Sequence, residues 1–202
     1  MLIPLDSLIE KYNIQFKGIL HVGAHECEEI HEYEKHLPRN KILWIEALQD
    51  KVVISKQVYP NIRILNIVAS DRYEMVNFNR SNNGQSSSFL ELGLHKQYHP
   101  HVNYVSSHIT IAIPLIDIVN QSDVSFNFIN LDIQGTELKA LKGMEEYLKN
   151  IDYIYTEVNT DYVYKDCALL HQIDYYLTNF GFKRVETYMT EFKWGDAFYI
   201  KA

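Results

Sequence analysis

Short apolar runs rich in β-branched residues alternate with stretches of helical composition along most of this chain. That alternation constrains the fold to a mainly parallel sheet covered by helices. Strands are predicted at Gly18–Val22, Lys41–Glu46, Ile62–Val68, Phe126–Ile133, Ile151–Glu157, Phe182–Thr187 and Phe192–Ile200, so seven strands are available. Helices are predicted at Glu26–Leu37, stopped by Pro38, at Ala47–Val58, ending before Pro60, and at Ala168–Asn179, closed by Gly181. A further helix is predicted over Thr136–Lys149, where Leu138, Leu141 and Leu148 form an apolar stripe.

Residues 72–113 interrupt this rhythm. Met75–Asn79 has the composition of a short strand, and Asn82-Asn83-Gly84-Gln85-Ser86-Ser87-Ser88 is a run of turn formers, so the segment reads as a loop-rich insertion over the acceptor side. The 202 residues suffice for one well-buried core, and a single domain over 1–202 is expected. Hydrophobic residues make up 47% and charged residues 22%, ordinary for a water-soluble enzyme, and no stretch approaches the roughly 18 uninterrupted apolar residues of a membrane span. The opening residues lack an export leader, so a cytoplasmic setting is expected. Cys27 and Cys167 make no disulfide framework and no close cysteine pair. A formal net charge of −7 argues against a phosphate-neutralising surface, and hence against nucleic acid as partner.

In an open parallel sheet, ligands bind beyond the carboxyl ends of the strands. The first strand ends in Val22-Gly23-Ala24-His25-Glu26, where a glycine permits close backbone approach and a helix start offers free N–H groups. Steric need within the turn is the plainer explanation of that glycine. The second strand ends in Trp44-Ile45-Glu46, with Glu46 placed 23 positions after Gly23. That is close to the ~20-residue offset at which a carboxylate accepts ribose hydroxyl hydrogens, although a carboxylate at a helix N-terminus is also favoured by the macrodipole. Asp71, after Ala69-Ser70, suits an adenine amino group or a simple cap. No Gly-x-Gly-x-x-Gly turn and no Gly-Lys-Ser/Thr loop is present, and the acidic start of the first helix opposes a pyrophosphate. A nucleoside ligand without phosphates is left, and S-adenosylmethionine fits.

The fourth strand ends Asn130-Leu131-Asp132-Ile133-Gln134-Gly135-Thr136-Glu137 and the fifth Tyr155-Thr156-Glu157-Val158-Asn159. With Val22-Gly23-Ala24 and Ala69-Ser70-Asp71, these segments resemble the FkbM family of methyltransferases, whose pattern joins a Val-Gly-Ala turn, an acidic second-strand end and an Asp-x-x-Gly-x-Glu segment. The resemblance runs from about Gly18 to Gly181. It implies an α/β, Rossmann-like class I methyltransferase fold: a seven-stranded, mostly parallel sheet with helices on both faces and a final antiparallel strand. It further implies S-adenosylmethionine as cofactor, held at the first three strand ends by His21, Gly23, Ala24, His25, Glu26, Glu46, Ala47, Ser70 and Asp71, with Asp132 beside them. Methyl transfer to a hydroxyl follows, family members being associated with sugars and polyketides. Two residues depart from the pattern: His21 stands where an acid is usual and Cys27 where a glycine is common, which bears on contacts to the methionine part.

Transfer from a sulfonium to a hydroxyl is an in-line displacement that needs alignment and a proton acceptor. Asp132 and Glu157, at neighbouring strand ends, are the candidate catalytic bases; with Asn159 they could instead hold magnesium or manganese to orient the acceptor. The plainer roles are helix capping for Asp132 and Glu137 and loop anchoring for Glu157. Ser86, Ser87 and Ser88 offer hydroxyls to a polar acceptor. His95 and His99 have the spacing of one helix face, but Pro100 breaks that helix, so His95, His99, His101 and His108 read as solvated loop residues, one of which could still meet the substrate. Most of the 15 tyrosines serve packing, while Tyr162 and Tyr164 are placed to stack on a sugar ring. The expected acceptor is a hydroxyl on a sugar or glycan. The alternatives are a polyketide, lipid or other small molecule, or a SAM-binding interaction module without chemistry.

Overall fold

The computed structural model describes residues 1–202. In chain order, the elements before the insertion are α1 (Leu5–Tyr12), β1 (Ile19–Val22), α2 (Ile30–Glu34), β2 (Ile42–Glu46), α3 (Gln49–Val58), β3 (Ile64–Asn66) and β4 (Val68–Ser70). The insertion carries β5 (Glu74–Ser81), α4 (His95–Tyr98) and β6 (Tyr104–Pro114). The remainder comprises α5 (Leu115–Gln121), β7 (Phe128–Leu131), α6 (Glu137–Lys142), β8 (Tyr153–Asn159), α7 (Leu170–Thr178), β9 (Phe182–Met189) and β10 (Trp194–Lys201).

Seven strands form one sheet in the order β3-β2-β1-β7-β8-β10-β9, parallel except for β10, which runs antiparallel to both its neighbours. Burial on both faces explains why the central strands read as continuous apolar runs rather than alternating ones. Alternate residues enter two cores: Leu20, Leu43, Ile45 and Ile129 pack with α5, α6 and α7, whereas Ile19, Ile42, Trp44 and Phe128 pack with α1, α2 and α3. Helices therefore cover both faces, and strand order reverses between β1 and β7, where a crevice opens.

The structure corrects several element boundaries. The predicted strand Ile62–Val68 divides at Ile67: β3 stays in the main sheet, while β4 joins a second, three-stranded sheet in the order β4-β6-β5. The backbone N–H of Ile67 donates to the Glu46 carbonyl at 3.0 Å, which anchors the division. The insertion is consequently not loop-rich throughout. β5 and β6 pair as an antiparallel ribbon from Glu74↔Ala112 to Ser81↔Tyr104, and irregular chain fills most of the segment between them. The helix expected over Thr136–Lys149 ends at Lys142 and resumes as a 3₁₀ turn over Glu145–Asn150. Gly143 lies so close to β4 that a Cβ there would come within 2.1 Å of the Ser70 carbonyl oxygen, and Glu145 takes a left-handed φ of 47°; both interrupt the helical ladder. The helix expected from Glu26 begins only at Ile30, because His25 (φ 43°) and Cys27 (φ 61°) are left-handed. No helix is long and apolar enough to cross a membrane.

Candidate active site

A cavity of about 470 Å³ lies beyond the carboxyl ends of β1, β2, β7 and β8. Its floor is made by His21, Gly23, Glu46, Ala47, Asp132 and Glu157, together with Asp196 of β10. Its roof comes from the insertion: Asn83 to Ser87, Phe89, His95, His99 and His101.

Gly23 sits at φ +92°, and a Cβ on it would fall 1.8 Å from the carbonyl oxygen of Asp132. Its backbone freedom thus brings the first strand end against the fourth as well as opening the cleft. Gly23 and Ala24 both donate to the Ile45 carbonyl, at 2.9 and 3.0 Å, which ties the turn to β2. Glu46 is buried, and its two carboxylate oxygens accept from the N–H groups of His25 and Leu48, each at 2.7 Å. Burial raises its pKa, partly offset by those donors.

At the opposite side of the crevice four carboxylates converge. Asp132 is exposed to the cavity, and Glu157 and Asp196, paired across β8 and β10, are buried. Glu137 is sealed beneath them, its Oε1 accepting from Ile133 and Gly135 N–H at 3.0 and 3.1 Å while Oε2 has no partner. Burial, followed by repulsion from Asp132, Glu137 and Asp196, drives the Glu157 carboxyl well above the ordinary carboxylate range, and burial pushes Glu137 up to about 7. Gln134, held left-handed at φ 57°, donates through Nε2 to Asp132 Oδ1 (2.6 Å) and Glu157 Oε2 (2.8 Å), and accepts from the Tyr164 hydroxyl (2.6 Å). An amide nitrogen therefore bridges the two carboxylates where the metal reading needs a cation. Asn159 is fully buried with both amide atoms unpartnered and does not line the cavity. No group of three or more His, Cys, Asp or Glu side chains is arranged to hold a metal ion.

These raised carboxyls set a stability profile. A folded-state pKa above the unfolded value of 4.5 gives Glu137 a stabilising contribution that is complete below 4.5 and lost as pH rises through about 7. His95 acts oppositely: burial, then His99 and His101, lower it from 6.5 to about 4, so its contribution is present above 6.5 and lost as pH falls toward 4. The unfolding temperature should therefore peak near pH 6 and fall towards pH 8. Glu137→Gln should reduce that alkaline fall by about 1 kcal/mol between pH 6 and 8, leaving the share contributed by the raised Glu157 carboxyl, in a pH series of thermal melts. An unchanged slope would remove Glu137 as its source.

Among the other predicted residues, His21, His25, Ser87, His95 and Tyr164 line the cavity and Ala24, Glu26, Ser70, Asp71, Ser88 and Tyr162 do not. Glu26 is ion-paired with Lys51. Ser70 and Asp71 follow β4 into the second sheet, where the Ser70 hydroxyl donates to Glu74 at 2.5 Å. Ser88 is buried and its hydroxyl donates to the Gln134 carbonyl at 2.9 Å, so it ties the roof to the floor. Tyr162 points outward, 51% exposed. His95 is buried with Nδ1 unpartnered, correcting the solvated reading, and its ring lies 4.9 Å from that of His99 and 5.5 Å from that of Tyr164. Sequence reasoning passed over Asp196, Gln134, Asn83 and Glu29. Gln134 stood inside the Asp-x-x-Gly segment already singled out; Asp196 reaches the site only through strand pairing and leaves no local signal.

The sheet order, the reversal between β1 and β7 and a phosphate-averse cleft together define a class I S-adenosylmethionine-dependent methyltransferase fold. Solved structures agree on the fold. A magnesium protoporphyrin IX methyltransferase from Synechocystis PCC 6803 with bound SAM superposes with a TM-score of 0.54 at 10% identity, covering 98% of this chain and 76% of that one. The ribosomal protein L11 methylase of Lactobacillus delbrueckii subsp. bulgaricus gives 0.54 at 8% identity, with 96% and 74% covered. M. capricolum TrmK in complex with S-adenosylhomocysteine gives 0.51 at 9%, with 92% and 62% covered. The model of the methyltransferase FkbM domain matches residues 21–184, and the chain belongs to that family of S-adenosylmethionine-dependent methyltransferases. A search of curated proteins found no match.

Proposed function

We propose that this methyltransferase acts on a hydroxyl of an uncharged carbohydrate, with Asp132 as proton acceptor. The observation that carries the reading is the asymmetric carboxyl pair at the neighbouring ends of β7 and β8. Glu157 is buried and driven toward its protonated form, while Asp132 is open to the cavity. With Glu157 holding its proton, Asp132, open to the cavity beside it, is the carboxyl placed to meet the acceptor hydroxyl.

The lining fits the cofactor by its charge. The cavity wall holds Glu28, Glu29, Glu46, Asp132, Glu157 and Asp196 but no lysine or arginine, which favours a ligand bearing a sulfonium and an ammonium and disfavours phosphates. Ile67, Val68, Ala69, Phe78 and Phe89 make an apolar end suited to adenine, Glu46 stands between the ends to accept ribose hydroxyl hydrogens, and Asp132 and Glu28 face the cationic portion. When bound, S-adenosylmethionine supplies an electrophilic methyl carbon with a neutral thioether as leaving group. Asp132 takes the hydroxyl proton of the acceptor, and Gln134 fixes the rotamer in which it does so. Tyr164, His95 and Trp194 provide ring faces for a sugar, and Ser87 and Asn83 provide hydrogen-bonding groups at the roof. The absence of lysine and arginine from the lining favours a free or glycan-borne neutral sugar over a nucleotide-linked one.

Incubation with methyl-labelled S-adenosylmethionine and paired panels of neutral sugars and their phosphate esters tests the reading. Label is expected on neutral sugars, in alkali-stable ether linkage, at a rate indifferent to chelator. Transfer confined to phosphorylated acceptors or to a nitrogen would overturn it, and activity lost to chelation and restored by magnesium or manganese would return Asp132 and Glu157 to a metal-binding role.

A further inference from the structure

The cofactor has one anionic group, its methionine carboxylate, and the acidic end of this cavity offers it no lysine or arginine. The one cation at that end, the Met1 ammonium, is ion-paired with Glu29 at 3.7 Å, so a neutral donor is the group left to meet the carboxylate. The ring of His21 lines the cavity at this end, stacked on Trp44 with centroids 4.7 Å apart, and only 2% of the residue is exposed. Its protonation pattern follows from what lies behind it. Asn130 Nδ2 donates to the Tyr33 hydroxyl oxygen at 2.8 Å, and the phenolic hydrogen has two acceptors in reach, His21 Nδ1 at 3.1 Å and the weakly accepting Met1 Sδ at 4.0 Å, of which the imidazole nitrogen is the nearer and stronger. The second Asn130 amide hydrogen faces the same Nδ1 at 3.4 Å, and the Glu29 carboxylate, 4.0 Å from Nδ1, is beyond hydrogen-bond reach. Nδ1 is thus an acceptor. In a neutral imidazole the hydrogen then resides on Nε2, which has no partner in the protein.

From this relay we infer that His21, held as the Nε2–H tautomer by Tyr33 and Asn130, binds the carboxylate of the cofactor's methionine moiety. An acid at this position, usual in the related pattern, has the opposite polarity and cannot donate to a carboxylate at neutral pH. This chain therefore grips the amino-acid part of its cofactor by the anionic group. The inference rests on the cofactor placement proposed above. Burial also lowers the His21 pKa, in keeping with a neutral ring.

The test compares calorimetric titration of the full chain with S-adenosylhomocysteine and with its decarboxylated analogue. Wild type should prefer the carboxylate-bearing ligand by about 10- to 100-fold, the range of a hydrogen bond to a charged group. His21→Leu should erase that preference, and His21→Gln, which carries an amide donor at similar reach, should restore part of it. Nitrogen-15 shifts of the His21 ring should report a protonated Nε2 and an unprotonated Nδ1 in the wild-type protein, independently of any variant's folding. Equal affinity of wild type for the two ligands, or a proton on Nδ1, would overturn the inference while leaving the cofactor site intact. Failure of the folded wild type to bind either ligand would overturn the placement as well.

Discussion

Replacing Gly23 with alanine is expected to abolish binding of S-adenosylhomocysteine and to destabilise the protein by several kcal/mol, on the order of 3 or more, from steric conflict combined with backbone strain. The added Cβ would lie 1.8 Å from the Asp132 carbonyl oxygen, which is backbone and cannot rotate away. The left-handed φ of +92° adds strain for any L-residue with a side chain. Relief requires β1 and β7 to separate at their carboxyl ends, where Asp132 N donates to the Val22 carbonyl at 3.0 Å. Thermal unfolding reads the stability loss, and calorimetry on the folded fraction reads the binding loss. A variant that melts and binds like wild type would show that the strand ends open freely, and the cleft described here would not be the rigid cradle it is taken to be.

Asp132→Asn is expected to spare cofactor affinity to within about threefold and to lower kcat by about 10² to 10⁴, the usual contribution of a positioned base. The substitution preserves shape, and the new amide oxygen can still accept from Gln134 Nε2, now 2.6 Å from Asp132 Oδ1. One negative charge facing the cofactor is lost with the ability to take a proton, but Glu28, Glu29, Glu46 and Asp196 still line the cavity, which keeps the effect on affinity small. Glu157→Gln is the matching control: a carboxyl already driven toward its neutral form loses little when replaced by a neutral amide, so its turnover should fall far less. Single-turnover rates at saturating cofactor separate these effects from binding. Near-normal turnover by Asp132→Asn would exclude Asp132 as the base, whereas equal damage in both variants would make the pair an indivisible proton-sharing unit.

Legibility in the sequence followed interaction range. The central strands and the flanking helices were readable because periodicity and β-branched composition are local properties, and Gly23, Glu46, Asp132 and Glu157 stand at strand ends that such patterns locate. α1 was also written locally, since Leu5, Leu8, Ile9 and Tyr12 keep helical spacing, but it precedes the first strand and went unread. What local patterns cannot express is where a strand finds its partner. Val68–Ser70 continues the composition of β3, yet pairs with β6 over forty residues away, and this moves Asp71 out of the crevice. The break at Gly143 has the same origin, because the backbone that crowds it belongs to Ser70. Asp196 becomes a neighbour of Glu157 only through antiparallel register. Ser88 is the converse case: its hydroxyl chemistry was legible, but its partner, the Gln134 carbonyl, was not.

The division at Ile67 has a consequence for how such a protein can diversify. The roof residues, from Asn83 to Val102, hang between β5 and β6, and both strands belong to the sheet that shares no strand with the seven-stranded one. Lengthening, trimming or rewriting that ribbon alters what can enter above Asp132 without re-registering any strand that carries Gly23, Glu46 or Glu157. The roof is thus carried by a hydrogen-bonded framework distinct from the one that ends in Gly23, Glu46 and Glu157, so selection can rewrite its loop while leaving in place both those strand ends and the Val68, Ala69 and Phe78 side chains that the second sheet lends to the cavity.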